Sequence, residues 1–311
     1  DVSRAGGYTL LESTGWSMVQ FGDLVVAANG VSPLQQLSVL GNDTFEDIPG
    51  SPVASYLAVV RDFLFAGGIA TDGQQLRWSG INSPLQWSTR VNLSGVQNFP
   101  DAGPIQGISG GEYGLIFQEF AITRATYVPD PNIVFQMDAI EERHGVSVPT
   151  SLVQYGRRNF YLSHNGFYVC DGTVSVPIGE QRIDKTFFNE FDEDSGDLVS
   201  AAIDPLNKLV IWAYPGTGHG GVANRVIIFN WAINRWAYGE LDVGCFLRSQ
   251  GAGISLDDLP DPSIDGMSLT LDDRSRLASP LRLYGFNSLN QFAQLNGSTL
   301  EATMETAEEQ L

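Results

Sequence analysis

Apolar residues along this chain alternate with polar ones or gather in short unbroken runs, and they rarely recur at i, i+3, i+4 and i+7. The runs stop at Gly, Asn, Asp and Pro, which predicts short strands joined by tight turns. They come in groups. SMVQFGDLVVAA (Ser17–Ala28) with Leu34–Leu40 makes one; YLAVVRDFLFA (Tyr56–Ala66) with Gln75–Ser79 and the Trp87 region makes a second. Ile105–Tyr127 and Ser151–Val176 make two more, and Val134–Ile140 is a further strand-like run. Val199–Leu241 holds two successive hairpins around a glycine-rich tip. His164-Asn165-Gly166, Asp171-Gly172, Asp204-Pro205-Leu206-Asn207 and Asn230–Asn234 supply the residues that tight turns require. One helix is expected, at Asp184–Phe191, where Phe187, Phe188 and Phe191 share a face between two groups.

In each group a first strand precedes a turn and an aromatic-rich second strand: Val59 before Arg61-Asp62, Ile108 before Gly110-Gly111-Glu112, Val153 before Gly156-Arg157-Arg158, and Ala202 before Asp204-Pro205. The spacing is roughly 45 to 50 residues, the length of one four-stranded unit in a repeat architecture. The expected fold is all-β and propeller-like, with about five to six blades of short antiparallel sheets and long loops; a pair of β-sandwiches is the competing architecture. Residues 1–311 read as a single such domain whose ends need not be the natural ones. Gly251–Ser268, rich in acids, Gly and Pro, reads as an exposed loop.

A hydrophobic fraction of 43% over 311 residues is enough for a sizeable core. Lys and Arg total 17 against 36 Asp and Glu, a formal charge of -19, so the field of the molecule repels phosphate backbones and anionic membrane surfaces. A sequence-reading nucleic-acid binder is disfavoured on that ground. Charged residues make up only 17% of the chain, few for a surface held entirely in water, so part of it is expected to meet other subunits. No apolar run reaches the roughly 20 residues that cross a bilayer, and no basic leader opens the chain, so assembly in a reducing cytoplasm is expected. Cys170 and Cys245, both in apolar surroundings, are expected to be two small buried thiols.

Candidate chemistry is sparse. His144, His164 and His219 have no second His or Cys at ligand spacing. Glu141-Glu142-Arg143-His144 holds an acid beside a base, yet a local ion pair at a unit boundary explains it better. Asp192-Glu193-Asp194-Ser195-Gly196-Asp197 resembles half of a calcium loop, but Ile203 stands where a bidentate Glu is needed, which favours a solvated acidic turn. Gly216-Thr217-Gly218-His219-Gly220-Gly221 lacks the Lys-Ser or Lys-Thr of a phosphate loop and reads as a hairpin tip. Trp16, Trp78, Trp87, Trp212, Trp231 and Trp236 are assigned to packing, with a sugar-stacking platform as the alternative. Ser163–Tyr168 is similar to the turn of sialidase-type propellers, which is structural. No catalytic, metal or cofactor-binding residue is therefore assigned.

Several stretches together do resemble a known family: Trp16–Gly30, Arg61–Phe65, Arg77–Trp87, Asn165–Tyr168 with Asp171-Gly172, Pro177–Glu180, and Leu300–Glu308. They are similar to propeller-type virion proteins, especially the tail nozzle, or tail hub, proteins of short-tailed phages. The resemblance covers most of the chain through structural turns and strands, and it brings no catalytic residue. It implies a homo-oligomer, a hexameric ring, beneath portal and adaptor rings in the virion tail. Double-stranded DNA would pass through the lumen without sequence-specific binding, and an acidic lining, to which Asp192–Asp197 and Asp257–Asp265 are candidates, would let it slide. A host-receptor or glycan-binding propeller is the alternative function, and a sialidase-like hydrolase a more distant one.

Overall fold

The computed structural model describes residues 2–8, 15–41, 44–130, 133–218, 221–250 and 281–295. They form a six-bladed β-propeller of small antiparallel sheets. Blade 1 holds β1 (Ser17–Phe21), β2 (Leu24–Ala28), β3 (Gln35–Ser38) and β4 (Glu46–Asp47); blade 2 holds β5 (Ala54–Val60), β6 (Phe63–Ile69), β7 (Gln75–Trp78) and β8 (Gly95–Asn98). Blade 3 holds β9 (Ile105–Ser109), β10 (Gly114–Gln118), β11 (Ile122–Tyr127) and β12 (Phe135–Glu141). Blade 4 follows with β13 (Val153–Tyr155), β14 (Arg158–Ser163), β15 (Gly166–Cys170) and β16 (Ser175–Pro177). A short helix α1 (Asp184–Glu190) leads to blade 5, with β17 (Ser200–Asp204), β18 (Leu209–Pro215), β19 (Ala223–Asn230) and β20 (Arg235–Glu240). Blade 6 has three described strands, β21 (Cys245–Gln250), β22 (Leu281–Phe286) and β23 (Phe292–Gln294).

Every sheet is a meander in which each strand pairs with its sequence neighbour. First strands of successive blades approach one another, β1 with β5, β5 with β9, β13 with β17 and β17 with β21, so the first strand of each blade lies nearest the axis. The first strands begin at Ser17, Ala54, Ile105, Val153, Ser200 and Cys245, giving intervals of 51, 48, 47 and 45 residues after a shorter first one of 37. That is the expected repeat. A pair of sandwiches would set two sheets face to face, whereas here each sheet packs on the next one along the chain.

Because a blade is covered on both faces, its middle strands are almost wholly buried: GLIFQ in β10, all but Arg158 of RNFYLS in β14, and LVIWAYP in β18. Separate apolar clusters fill the gaps between blades. Val26, Ala28 and Leu34 meet Leu57, Leu64 and Ala66 between blades 1 and 2; Phe63, Phe65 and Trp78 meet Ile116 and Phe135 between blades 2 and 3. Phe117 meets Tyr161 between blades 3 and 4, and Phe167, Phe187, Trp212 and Tyr214 fill the space between blades 4 and 5. Each such side chain contributes about 1.5–3 kcal/mol of burial, so blade stacking supplies most of the cohesion. α1 belongs to this packing: its buried Phe187 stacks on Phe191 and meets Phe167 and Tyr214 edge-on.

Three expectations need correction. The Trp87 region is no strand: Trp87 is buried in the connection that precedes β8 and fills the gap between blades 1 and 2. The outer strand of that blade, GVQN, has too few apolar residues to announce itself. Cys170 is buried, but Cys245 is exposed, because alternation along β21 turns Phe246 towards blade 5 and its neighbours away from it. Lastly, Arg143 makes no ion pair among the described residues; Glu141 Oε1 instead accepts the backbone N–H groups of Glu142 and Arg143, closing the turn after β12. Gly251–Ser268, with the acidic run Asp257–Asp265, as well as His219 and Leu300–Glu308, lie outside the described residues.

Candidate binding pocket at the propeller axis

The first strands of the blades and the segments that lead into them converge on a cavity of about 370 Å³ lined by Gly15, Trp16, Ser17, Asn29, Ser55, Tyr56, Pro149, Thr150, Leu152 and Asp197. Blade 1 contributes through the start of β1 and the end of β2, blade 2 through the start of β5, and blades 4 and 5 through the turns that precede β13 and β17. The axis is the one place to which several blades can deliver a side chain at once.

The wall is amphipathic. Trp16 meets Tyr8 edge-on at 4.8 Å, and Arg4 lies 5.1 Å above the Tyr8 ring, so residues 2–8 brace the indole from behind. Arg4 is itself tied to Asp47 at 2.8 Å. Burial pushes the Tyr56 phenol up to about 12, so it is a neutral donor at any physiological pH. Ser17 Oγ accepts the N–H of Leu57 at 3.0 Å and joins blade 1 to blade 2.

Asn29 is 2% exposed. Its Oδ1 accepts the N–H groups of Val31 and Ser32 at 3.0 and 2.8 Å, an Asx turn that fixes which end of the amide is oxygen. The Nδ2 at the other end has no hydrogen-bond partner among the described residues. A buried donor left unmade costs on the order of 1–3 kcal/mol, and this one belongs to a residue lining the cavity.

Other sequence candidates go elsewhere. His144 stacks on Tyr168 with ring centres 5.1 Å apart and takes a 3.3 Å contact from Asn165 Nδ2. His164, in the turn between β14 and β15, stacks on Phe120 and lies 3.5 Å from Glu119. Glu193–Leu198 winds as a 3₁₀ turn in which Asp192 accepts the Ser195 hydroxyl, a geometry unlike an extended calcium loop; Asp197 alone of that run reaches the axial cavity. Trp78, Trp87 and Trp212 are core, Trp231 and Trp236 pack against it, and Trp16 is the one tryptophan at the axis. Asn29, Ser55, Tyr56 and Thr150 carried no motif; what unites them is a position at the mouth of the first strands, visible only when the blade register is known.

A second set of cavities, about 540, 350 and 350 Å³, runs between the outer parts of blades 4 and 5. Phe160, Ile178, Trp231 and Trp236 form its floor, and Arg158, Arg182 and Arg235 stand along it.

No protein-family model matches the chain, and no curated protein is similar to it in sequence. Its fold is similar to that of dihydro-heme d1 dehydrogenase NirN in complex with DHE, at 10% identity and a TM-score of 0.46, over 74% of this chain and 47% of that one. BamB from Moraxella catarrhalis is similar at 10% identity and a TM-score of 0.44, over 74% of this chain and 65% of that one. The WD40 β-propeller domain of Doa1 gives 8% identity and a TM-score of 0.42, over 71% and 66%. The chain thus spans less than half of the first of these proteins. None of these likenesses carries a function over to it.

Proposed function

We propose that this propeller is a non-catalytic structural component of a phage tail, several copies of which, six on the family pattern, form a ring around the channel through which DNA leaves the capsid. The observation that carries this reading is a set of exposed apolar side chains set among the polar residues of the rim. Val96 on β8, Val176 on β16 and Tyr238 on β20 are all exposed on outer strands, and Ile233, 66% exposed, stands at the turn beside the groove between blades 4 and 5. An outer strand also presents unpaired N–H and C=O groups, which a neighbouring subunit can cover. The formal charge of -19 suits a conduit, because a carboxylate-rich wall does not trap the phosphate backbone. Portal and adaptor proteins are the partners above such a ring, and the virion tail is its place.

Native mass spectrometry and negative-stain microscopy of the purified protein test this. A closed oligomer with an axial hole supports the proposal, together with negligible affinity for duplex DNA at physiological salt. A protein that stays monomeric at tens of micromolar, both alone and with portal and adaptor rings, would overturn it.

A further inference from the structure

We propose that the groove between blades 4 and 5 is the seat of an acidic, apolar segment of this same protein, residues 300–311, whether or not the propeller builds a ring. The three adjoining cavities of about 540, 350 and 350 Å³ share Asn234 and form one trough. Together they exceed the roughly 300–1,000 Å³ of a small-ligand site and suit a length of chain. From the aromatic floor the apolar surface continues to the rim through Val174, Val176 and Ile233, which are 50%, 44% and 66% exposed.

The charge along this groove runs against that of the molecule. Arg158, Arg182 and Arg235 are exposed on its walls, in a chain with 17 basic residues against 36 acidic ones, and none of the three is in an ion pair among the described residues. Arg182 donates to the Asn234 carbonyl at 3.0 Å; the guanidinium groups of the other two have no partner among the described residues. Two acids share the lining. Asp171 is taken up by its own turn, accepting from Thr173 and Val174, which leaves Glu180. An occupant therefore needs apolar side chains and carboxylates side by side.

Residues 300–311, LEATMETAEEQL, hold four Glu and no Lys or Arg. Leu300, Met304, Ala307 and Leu311 recur at i, i+4, i+7 and i+11, and Glu301, Glu305 and Glu308 each stand one place further on. Wound as a helix, that spacing sets an apolar stripe beside a row of carboxylates, the form in which a helix lies in a groove. The acidic run 257–265 has two prolines, Pro260 and Pro262, which break any such stripe. A nucleic-acid backbone would pair with the arginines and leave the apolar floor bare.

The test places a photo-reactive benzophenone side chain at Ile233 of the full chain and maps its cross-links by mass spectrometry. The expected label falls on residues 300–311, within one chain or between two copies. An excess of the synthetic peptide LEATMETAEEQL should suppress it, and a scrambled peptide of the same composition should not. Arg158→Glu with Arg235→Glu should lower the yield about fivefold or more, and Glu301→Lys with Glu305→Lys in the same chain should restore it, which a merely misfolded variant would not allow. The proposal is overturned if the label falls on another surface of a second copy or on no part of this chain, if the scrambled peptide competes equally, or if reversing the two arginines leaves the yield unchanged.

Discussion

Ser17 Oγ accepts the backbone N–H of Leu57 at 3.0 Å, and Ser200 Oγ accepts that of Phe246 at the same distance. Both serines open the first strand of a blade, and both donors lie on the first strand of the next blade. A first strand is an edge strand: on its axial side no further strand exists to satisfy its N–H groups. A short hydroxyl at the strand's opening reaches across and supplies the acceptor. The repeat of this fold is therefore chemical as well as geometric, although the two serines share no surrounding motif.

Ser200→Ala removes that acceptor without touching the core. The half-buried Phe246 N–H is then left to whatever water can reach it, and the loss should be about 1 kcal/mol. Chemical denaturation should show a lower midpoint at an unchanged slope. An unaltered midpoint would mean that the bond contributes nothing to joining blades 5 and 6.

The closest backbone approaches sit at two glycines. A Cβ on Gly110 would press into the carbonyl of Val59 on the neighbouring blade, and one on Gly145 into the backbone of Gln118 and Glu119. Backbone cannot swing aside as a side chain can, so Gly110→Ala and Gly145→Ala should each destabilise by about 3 kcal/mol or more. Gly15→Ala, with open space around it, should stay within about 0.5 kcal/mol of wild type. Melting temperatures of the three variants check the order, and an equal effect at all three would contradict the packing described.

The blades were legible wherever a strand buries apolar residues. Middle strands such as Phe63–Ile69 and Leu209–Pro215 stand out as unbroken apolar runs, and the turns at Asp171-Gly172 and Asp204–Asn207 carry their own chemistry. Two outer strands were not: Glu46–Asp47 and Gly95–Asn98 are polar, held by ladder hydrogen bonds and by contacts such as Arg4 with Asp47 and Gln75 with Asn98, which leave no trace in the apolar pattern. The axial cavity was invisible for a different reason. Trp16, Asn29, Tyr56 and Asp197 are brought together by closure of the ring, and no spacing along the chain encodes that meeting.

The two cysteines should behave oppositely. Cys245 is exposed, whereas Cys170 is buried among Tyr161, Tyr168 and Leu115, and burial pushes its thiol above the ordinary range, which depletes the reactive thiolate. Ellman's reagent should titrate one thiol in the native protein and both in guanidinium. Two fast-reacting thiols under native conditions would show that the gap between blades 3 and 4 opens readily.

Asp184 provides the clearest dependence on pH. Its carboxyl stands at the start of α1, Oδ1 accepts the N–H of Phe167 at 3.2 Å, and Gly166 and Gly179 close over it so tightly that a Cβ on either would strike it. Burial raises its pKa, and the nearby Glu180 charge adds to the shift, outweighing the opposing hydrogen bond from Phe167. The folded chain therefore holds this proton more tightly than the unfolded one, whose carboxyl titrates near 3.9. As pH rises from that value through the raised folded one, the group's contribution to stability falls, and at neutral pH the full penalty of a half-buried charge remains. Asp184→Asn keeps the acceptor for Phe167 and abolishes the charge. It should melt above wild type at pH 7, with the advantage shrinking as both are acidified through that window. A variant less stable than wild type at pH 7 would show that the ionised carboxylate, rather than a neutral acceptor, is what α1 requires there.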